Sequence, residues 1–259
     1  MNRIRLTFKF ILHFITAKNT LGFGVHSPYV FHFTKFVIYN NGSYYIFSAI
    51  EKMRSSLKND KRILNIVDFG TGSKSNISIR KITTKSVKSA KFGQLLYRLS
   101  DYIQAGNILE LGTSIGLTTS YLAAYSSNCR VISLEGSQQI ADVAIENFKK
   151  LDLNNIKIIV GDIDETLPKV LEKFECLDLI FIDANHKYQA LINYFEQCLT
   201  KINTNSIMVI DDIYWSSDME KAWKIIKGNP LVMTTIDLFE FGIVFFNSDL
   251  NKKHYRMRY

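Results

Sequence analysis

From residue 94 onward, short uninterrupted apolar runs alternate with longer segments whose apolar positions recur every three or four residues. NILELG, RVISLEG, IKIIVGD, LDLIFIDA and SIMVIDD read as strands with little internal alternation, the pattern of strands covered on both faces. GQLLYRLSDYI, LTTSYLAAYSS, QIADVAIENFKKL, a short piece around PKVLEKF, YQALINYFEQCLTKI and SDMEKAWKIIKG read as the intervening helices. LVMTTIDLF and FGIVFFN close the series, and a short turn between them predicts an antiparallel pair at one edge of the sheet. Strand and helix in alternation predict the α/β class, with a mostly parallel sheet in Rossmann-like layers.

The part before residue 94 is mainly helical in pattern. HSPYVFHFTKFVI has Pro28 early, and GSYYIFSAIEKMRSSLKND has Ser43 as a candidate cap. RILNIVDFG reads as a short strand, and the basic, Ser/Thr-containing stretch from Lys74 to Arg98 reads as an exposed loop leading into the next helix. At the start, Ile4, Phe8, Ile11, Leu12 and Ile15 share one helical face, Leu6, Phe10 and Phe14 widen it, and Arg3, Arg5 and Lys9 remain for the polar side. Such a helix is expected to dock by its apolar face on the core or on a partner subunit, the alternative being peripheral attachment to an anionic membrane. Lys9 interrupts the apolar stretch and no small-residue cleavage site follows, which argues against a signal peptide.

Charge changes this picture. The net charge is +8, but residues 1–100 hold 17 Lys and Arg against three acids, and residues 101–259 hold 15 against 21. A basic, mainly helical N-terminal extension (1–90) is therefore expected ahead of a mildly acidic catalytic domain (91–259). Cys129, Cys176 and Cys198 are far apart and lack metal-ligand spacing, as for buried thiols in a reducing, cytoplasmic setting. No apolar run is long enough for a membrane span.

In an open parallel sheet, ligands lie beyond the carboxyl ends of the strands, and here those ends form a series. They are Glu110-Leu-Gly112-Thr113-Ser114-Ile-Gly116, Glu135-Gly136, Gly161-Asp162, Asp183-Ala-Asn185-His186 and Asp211-Asp212. The glycines let backbone approach a ligand, and an acid closing the next strand can accept the hydroxyls of a ribose. The loop lacks the Gly-x-Gly-x-x-Gly spacing of a dinucleotide site, so a cofactor with a ribose but no phosphate fits better.

From about Lys91 to Phe246 the chain resembles the class I S-adenosylmethionine-dependent methyltransferases. Glu110, Gly112 and Gly116 match their first motif, with Ser114 in place of the usual middle glycine; Glu135 matches the ribose-binding acid and Gly161-Asp162 the adenine edge. The resemblance implies seven strands, the last antiparallel, and a cofactor site that includes Thr113, Ser114, Gly136 and Asp183. Because FGQLL precedes the first strand, the chain looks most like the small-molecule O-methyltransferases similar to catechol O-methyltransferase. In these, a divalent cation such as Mg²⁺ is held by acids ending the fourth and fifth strands, which implies Asp183, Asp211 and Asp212, the last replacing an Asn. The family's catalytic Lys position is His186 here, a residue able to accept a hydroxyl proton near neutral pH. Adjacent aspartates at a strand end can instead cap the following helix.

The whole chain also resembles a group of bacterial methyltransferase-like proteins through FGVHSP, DFGTGS, ELGTSIG, FIDANH and DDIYWS, a likeness that brings no substrate with it. A small, anionic acceptor is the leading expectation, with a homodimer or a peripheral membrane contact as further partners. RNA methylation and cofactor binding without catalysis stand as alternatives. DFGTGSK (68–74) is either a plain turn, with Gly70 and Gly72 supplying permissive backbone, or part of a basic lid in which Lys74, Arg80 or Lys81 meets a negative group.

Overall fold

The computed structural model describes residues 3–67, 74–85 and 87–259. The DFGTGS stretch lies outside the described residues, whereas Arg80 and Lys81 of the expected lid lie on a helix over Ile79–Lys85. The chain forms two compact units: residues 41–173 make a middle unit, and residues 1–40 with 174–259 make an end unit.

The first stretch of the end unit contains helix α1 (Arg3–Thr16) and helix α2 (Pro28–Phe33), which runs on into a π-helical turn over Thr34–Ile38. α2 starts where it does because Ser27 accepts the Val30 N–H at 3.4 Å and Pro28 needs no amide partner in the first turn. α1 does not dock on the core by its apolar face, one of the placements expected for it. Its apolar face is turned outward, with Ile4 82%, Phe8 65% and Ile15 68% exposed, and its polar stripe docks instead. Arg5 and Lys9 pair with Glu220, and the buried His13 meets Asp237.

The middle unit begins with α3 (Tyr45–Leu57), strands β1 (Ile63–Val67) and β2 (Lys74–Ser78), and α4 (Ile79–Lys85). Tyr44 occupies the cap position of α3 without a side-chain bond, so Ser43 does not serve as the cap. The expected loop from Lys74 is instead a strand and a helix. β2 pairs antiparallel with β1, Ile63 opposite Ser78, and Ile79 and Ile82 are buried. The apolar residues in KSNISIRKITTK are few but spaced to face one core. That core is shared: Phe47, Ile50, Ile79 and Ile82 cluster with Tyr97 and Tyr121 from the helices that follow.

The unit continues through α5 (Ala90–Tyr102), β3 (Asn107–Leu111), α6 (Leu117–Ala123), β4 (Arg130–Glu135), α7 (Gln138–Lys150), β5 (Ile156–Val160) and α8 (Ile163–Leu171). β3, β4 and β5 are parallel neighbours in that order, Glu110 beside Ser133 and Glu135 beside Val160. Three strands therefore end at one level, with a turn after each.

The last stretch of the end unit contains β6 (Leu179–Ile182), α9 (Tyr188–Leu199), β7 (Ile207–Asp211), α10 (Ser217–Gly228), β8 (Thr234–Asp237), β9 (Phe241–Phe245) and β10 (Lys253–Arg256). β6 and β7 are parallel, with Ile182 beside Ile210, so Asp183 and Asp211 follow adjacent strand ends. β9 lies between β7 and β8, antiparallel to both. The expected antiparallel pair is thus present, but β10 is added parallel to β8 and takes the edge. From β3 onward the described residues form eight strands where seven were expected.

Candidate active site

In the middle unit, three residues between β3 and α6 hold left-handed backbone: Gly112 at φ 104°, Ser114 at φ 50° and Gly116 at φ 80°. At Gly116 the requirement is double, because a Cβ there would lie 2.6 Å from Phe148 Cε1 on α7. The turn is tied down from several sides. Gly112 N–H donates to Leu134 O at 2.9 Å, and Asn147 on α7 donates from Nδ2 to Ile115 O, also at 2.9 Å.

Glu135 closes β4 and binds the same turn. Its Oε2 accepts Ser114 N–H at 2.8 Å and its Oε1 accepts Ser137 N–H at 3.0 Å, while Gly136 N–H also faces it. Burial raises its carboxyl above the usual range, and these three backbone donors oppose that. A carboxylate has roughly four lone-pair positions, so three donors leave room for a ligand hydroxyl. The donor set therefore fits a ribose.

Glu110 occupies a different environment. It is 0% exposed, Oε2 accepts the hydroxyls of Ser133 (2.6 Å) and Thr119, and Oε1 is buried with no hydrogen-bond donor. Burial pushes its carboxyl up to about 8. Thr113 is also buried, its hydroxyl bonded to Ser133, so of this residue only the backbone is left to line the turn. Glu110 and Thr113 thus lie beneath the loop that Gly112, Ser114 and Gly116 form. Gly161, at φ 146°, follows β5 and donates its N–H to Glu135 O at 3.0 Å. Asp162 caps α8 by accepting Asp164 N–H at 3.0 Å, and it is partly exposed.

In the end unit, the turn after β6 and the turn after β7 bring Asp183, His186 and Asp212 together. His186 Nε2 lies 3.7 Å from Asp183 Oδ1 and 3.8 Å from Asp212 Oδ2, and its ring faces Trp215 at 6.1 Å between centroids. Asn185 at φ 46° and Asp212 at φ 53° are both left-handed, the sparsely populated backbone that clusters at functional sites. Asp211 plays a different part from its neighbour. It is 1% exposed, and its Oδ1 accepts Asp212 N–H at 2.7 Å, which holds the turn. Ser216, rather than either aspartate, caps α10 by accepting Met219 N–H at 3.1 Å.

Among the described residues no group of three or more His, Cys, Asp or Glu side chains is arranged to hold an ion. One oxygen of Asp211 accepts a backbone N–H, and His186 Nε2 lies within 4 Å of a carboxylate oxygen of each of the other two acids. The Mg²⁺ expectation at Asp183, Asp211 and Asp212 is left as an expectation, and no chemical step is routed through a cation.

Sequence reasoning missed Asn147 and Ser133. Neither belongs to a strand-end motif, and the spacing of polar residues on a helix or inside a strand does not reveal which carbonyl or carboxylate each will meet.

Residues 109–213 match the family model described as "Methyltransferase domain". A catechol O-methyltransferase from Niastella koreensis is 34% identical over 124 residues, 47% of this chain and 55% of that protein. The chain thus spans about half the length of that curated relative. A tRNA (guanine-N(7)-)-methyltransferase from Mycoplasma mobile is 33% identical over 145 residues, covering 52% of this chain and 71% of that protein. Among solved structures, the O-methyltransferase from Bacillus cereus in complex with SAH has a TM-score of 0.56 at 21% identity, over 83% of this chain and 95% of that one. The glycine turn, the acid closing β4 and these matches converge on one assignment: the chain belongs to the class I S-adenosylmethionine-dependent methyltransferases.

Proposed function

We propose that the protein transfers a methyl group from S-adenosylmethionine to an oxygen of a small acceptor. The observation that carries the cofactor half is Glu135, whose carboxylate is held by the N–H of Ser114 and keeps capacity for ribose hydroxyls. Gly112, Ser114 and Gly116 would bring bare backbone up to the amino-acid end of the cofactor, and Asp162 would meet the adenine edge. When bound, the cofactor supplies an electrophilic methyl group on a sulfonium sulfur.

For the acceptor half, His186 is the group suited to take the acceptor's hydroxyl proton on Nε2. Asp183 and Asp212 lie within 4 Å of that nitrogen, placed to meet the positive charge of the ring once the proton has moved. Choice of acceptor is assigned to the basic segment 1–90, whose charge suits an anionic small molecule. The catechol O-methyltransferase match supports oxygen as the target.

The match to a tRNA (guanine-N(7)-)-methyltransferase favours a second reading, methylation of a nucleic-acid base. A labelled methyl donor offered with small hydroxyl compounds, and separately with bulk tRNA, separates the two. Label in the small-molecule fraction alone supports oxygen transfer, and label in tRNA overturns it.

A further inference from the structure

α1 is mounted inside out. Arg5, Lys9 and His13 lie four residues apart along one stripe, and all three point into the end unit. Lys9 Nζ is 3.0 Å from Glu220 Oε2, Arg5 shares that carboxylate, and His13 Nε2 is 3.0 Å from Asp237 Oδ1. Asp237 is buried and also takes Tyr214 OH and, at 3.4 Å, Arg256 Nε. An amphipathic helix that only stabilised its own domain would bury the other face. Here nine large apolar side chains between Ile4 and Phe23 are exposed, and Phe23 itself is 80% exposed.

Exposed cations flank this surface. Residues 1–50 contain five Lys and Arg and no Asp or Glu; residues 250–259 contain four and none. The two segments are joined, since Asn19 N–H donates to Arg256 O at 3.1 Å and Arg258 N–H to Thr20 Oγ1 at 3.1 Å. Lys18, Lys35 and Arg258 are exposed, and Arg258 lies 4.1 Å from the Phe14 ring centroid.

A second copy of the chain fits this surface poorly. Two-fold pairing would bring the exposed Lys18, Lys35 and Arg258 of one copy towards the same cations of the other. An anionic bilayer supplies both complements, an acyl region for Phe8, Ile11 and Ile15 and phosphates for the flanking cations. We propose that the outward face of α1, with the Leu21–Phe23 turn, seats the protein on an anionic lipid surface. No helix among the described residues is long and apolar enough to cross a membrane, so the contact is peripheral. The anchor reaches the loop that carries Asp212, because Asp237 joins His13 to Tyr214 two residues further on.

Vesicle co-sedimentation of the full chain tests this. Pelleting is expected with equimolar phosphatidylcholine and phosphatidylglycerol, much less with phosphatidylcholine alone, and less again as salt is raised. The triple substitution Phe8→Ser, Ile11→Ser, Ile15→Ser is expected to weaken partitioning about tenfold or more, with circular dichroism and melting midpoint unchanged. Lys18→Glu with Lys35→Glu, which leaves the apolar face intact, is expected to weaken binding to the mixed vesicles only. Wild-type protein that stays in the supernatant with the mixed vesicles overturns the proposal. So does a dimer in sedimentation velocity that the triple-serine variant dissociates.

Discussion

Ser114 N–H donates to Glu135 Oε2 at 2.8 Å, so the glycine turn after one strand is held by the acid that closes the next. Loop shape and the proposed ribose contact therefore share one carboxylate. Glu135→Ala is expected to weaken S-adenosylmethionine binding by about 10- to 100-fold, the cost of losing hydrogen bonds to a charged group. Isothermal titration calorimetry on the folded variant checks this; unchanged affinity would remove Glu135 from the cofactor site.

Gly116 is expected to tolerate no side chain. Its φ of 80° and the Phe148 ring 2.6 Å from a built Cβ act together, so Gly116→Ala should destabilise the protein by about 1–3 kcal/mol. Urea unfolding gives the number. A variant as stable as the parent would mean that α7 shifts freely away from the turn.

Glu110 links stability to pH. Two hydroxyl donors on Oε2 favour its charged form, but complete burial with no donor on Oε1 wins, and the carboxyl moves from 4.5 up to about 8. A carboxyl raised on folding stabilises most when both states are protonated. Its contribution is full below about 4.5, declines as pH rises to about 8, and is flat beyond. The decline should be on the order of a few kcal/mol. Glu110→Gln, which cannot ionise, should flatten the urea midpoint across this window. A wild-type midpoint that is level from pH 5 to 8 would show Glu110 ionised at no cost.

His186→Gln should lower kcat by about 100-fold or more while leaving cofactor affinity unchanged. Asp183→Asn and Asp212→Asn should each cost less, since they act through the ring. A chelator tests the Mg²⁺ expectation, and turnover that continues in its presence would remove it. Loss of turnover on chelation, restored by Mg²⁺, would return the chemistry to a cation.

Much of this was legible in the chain. Buried parallel strands leave plain apolar runs, and Gly112, Gly116 and Glu135 stand at the ends of such runs because backbone geometry and ligand chemistry demand those residue types there. The orientation of α1 was not legible, since an amphipathic pattern gives two faces and does not say which one docks. That choice was made by Glu220 and Asp237, more than 200 residues away in the chain. β10 was missed because KHYR is short, polar and at an edge, where little needs to be buried. Asp211 and Asp212 look alike in sequence, yet the first is a buried brace for the turn and the second faces His186.

The place of β9 between β7 and β8 has a consequence for synthesis. Asp211 pairs with Phe241, so the strand that carries the Asp211–Asp212 turn gains its antiparallel neighbour only 30 residues later, 241 minus 211. At about 5–20 residues per second on the ribosome, β7 waits roughly 2–6 s with an unpaired apolar edge. In that interval the nascent chain is most open to chaperones and to mispairing, and a pause in translation before residue 241 would lengthen it.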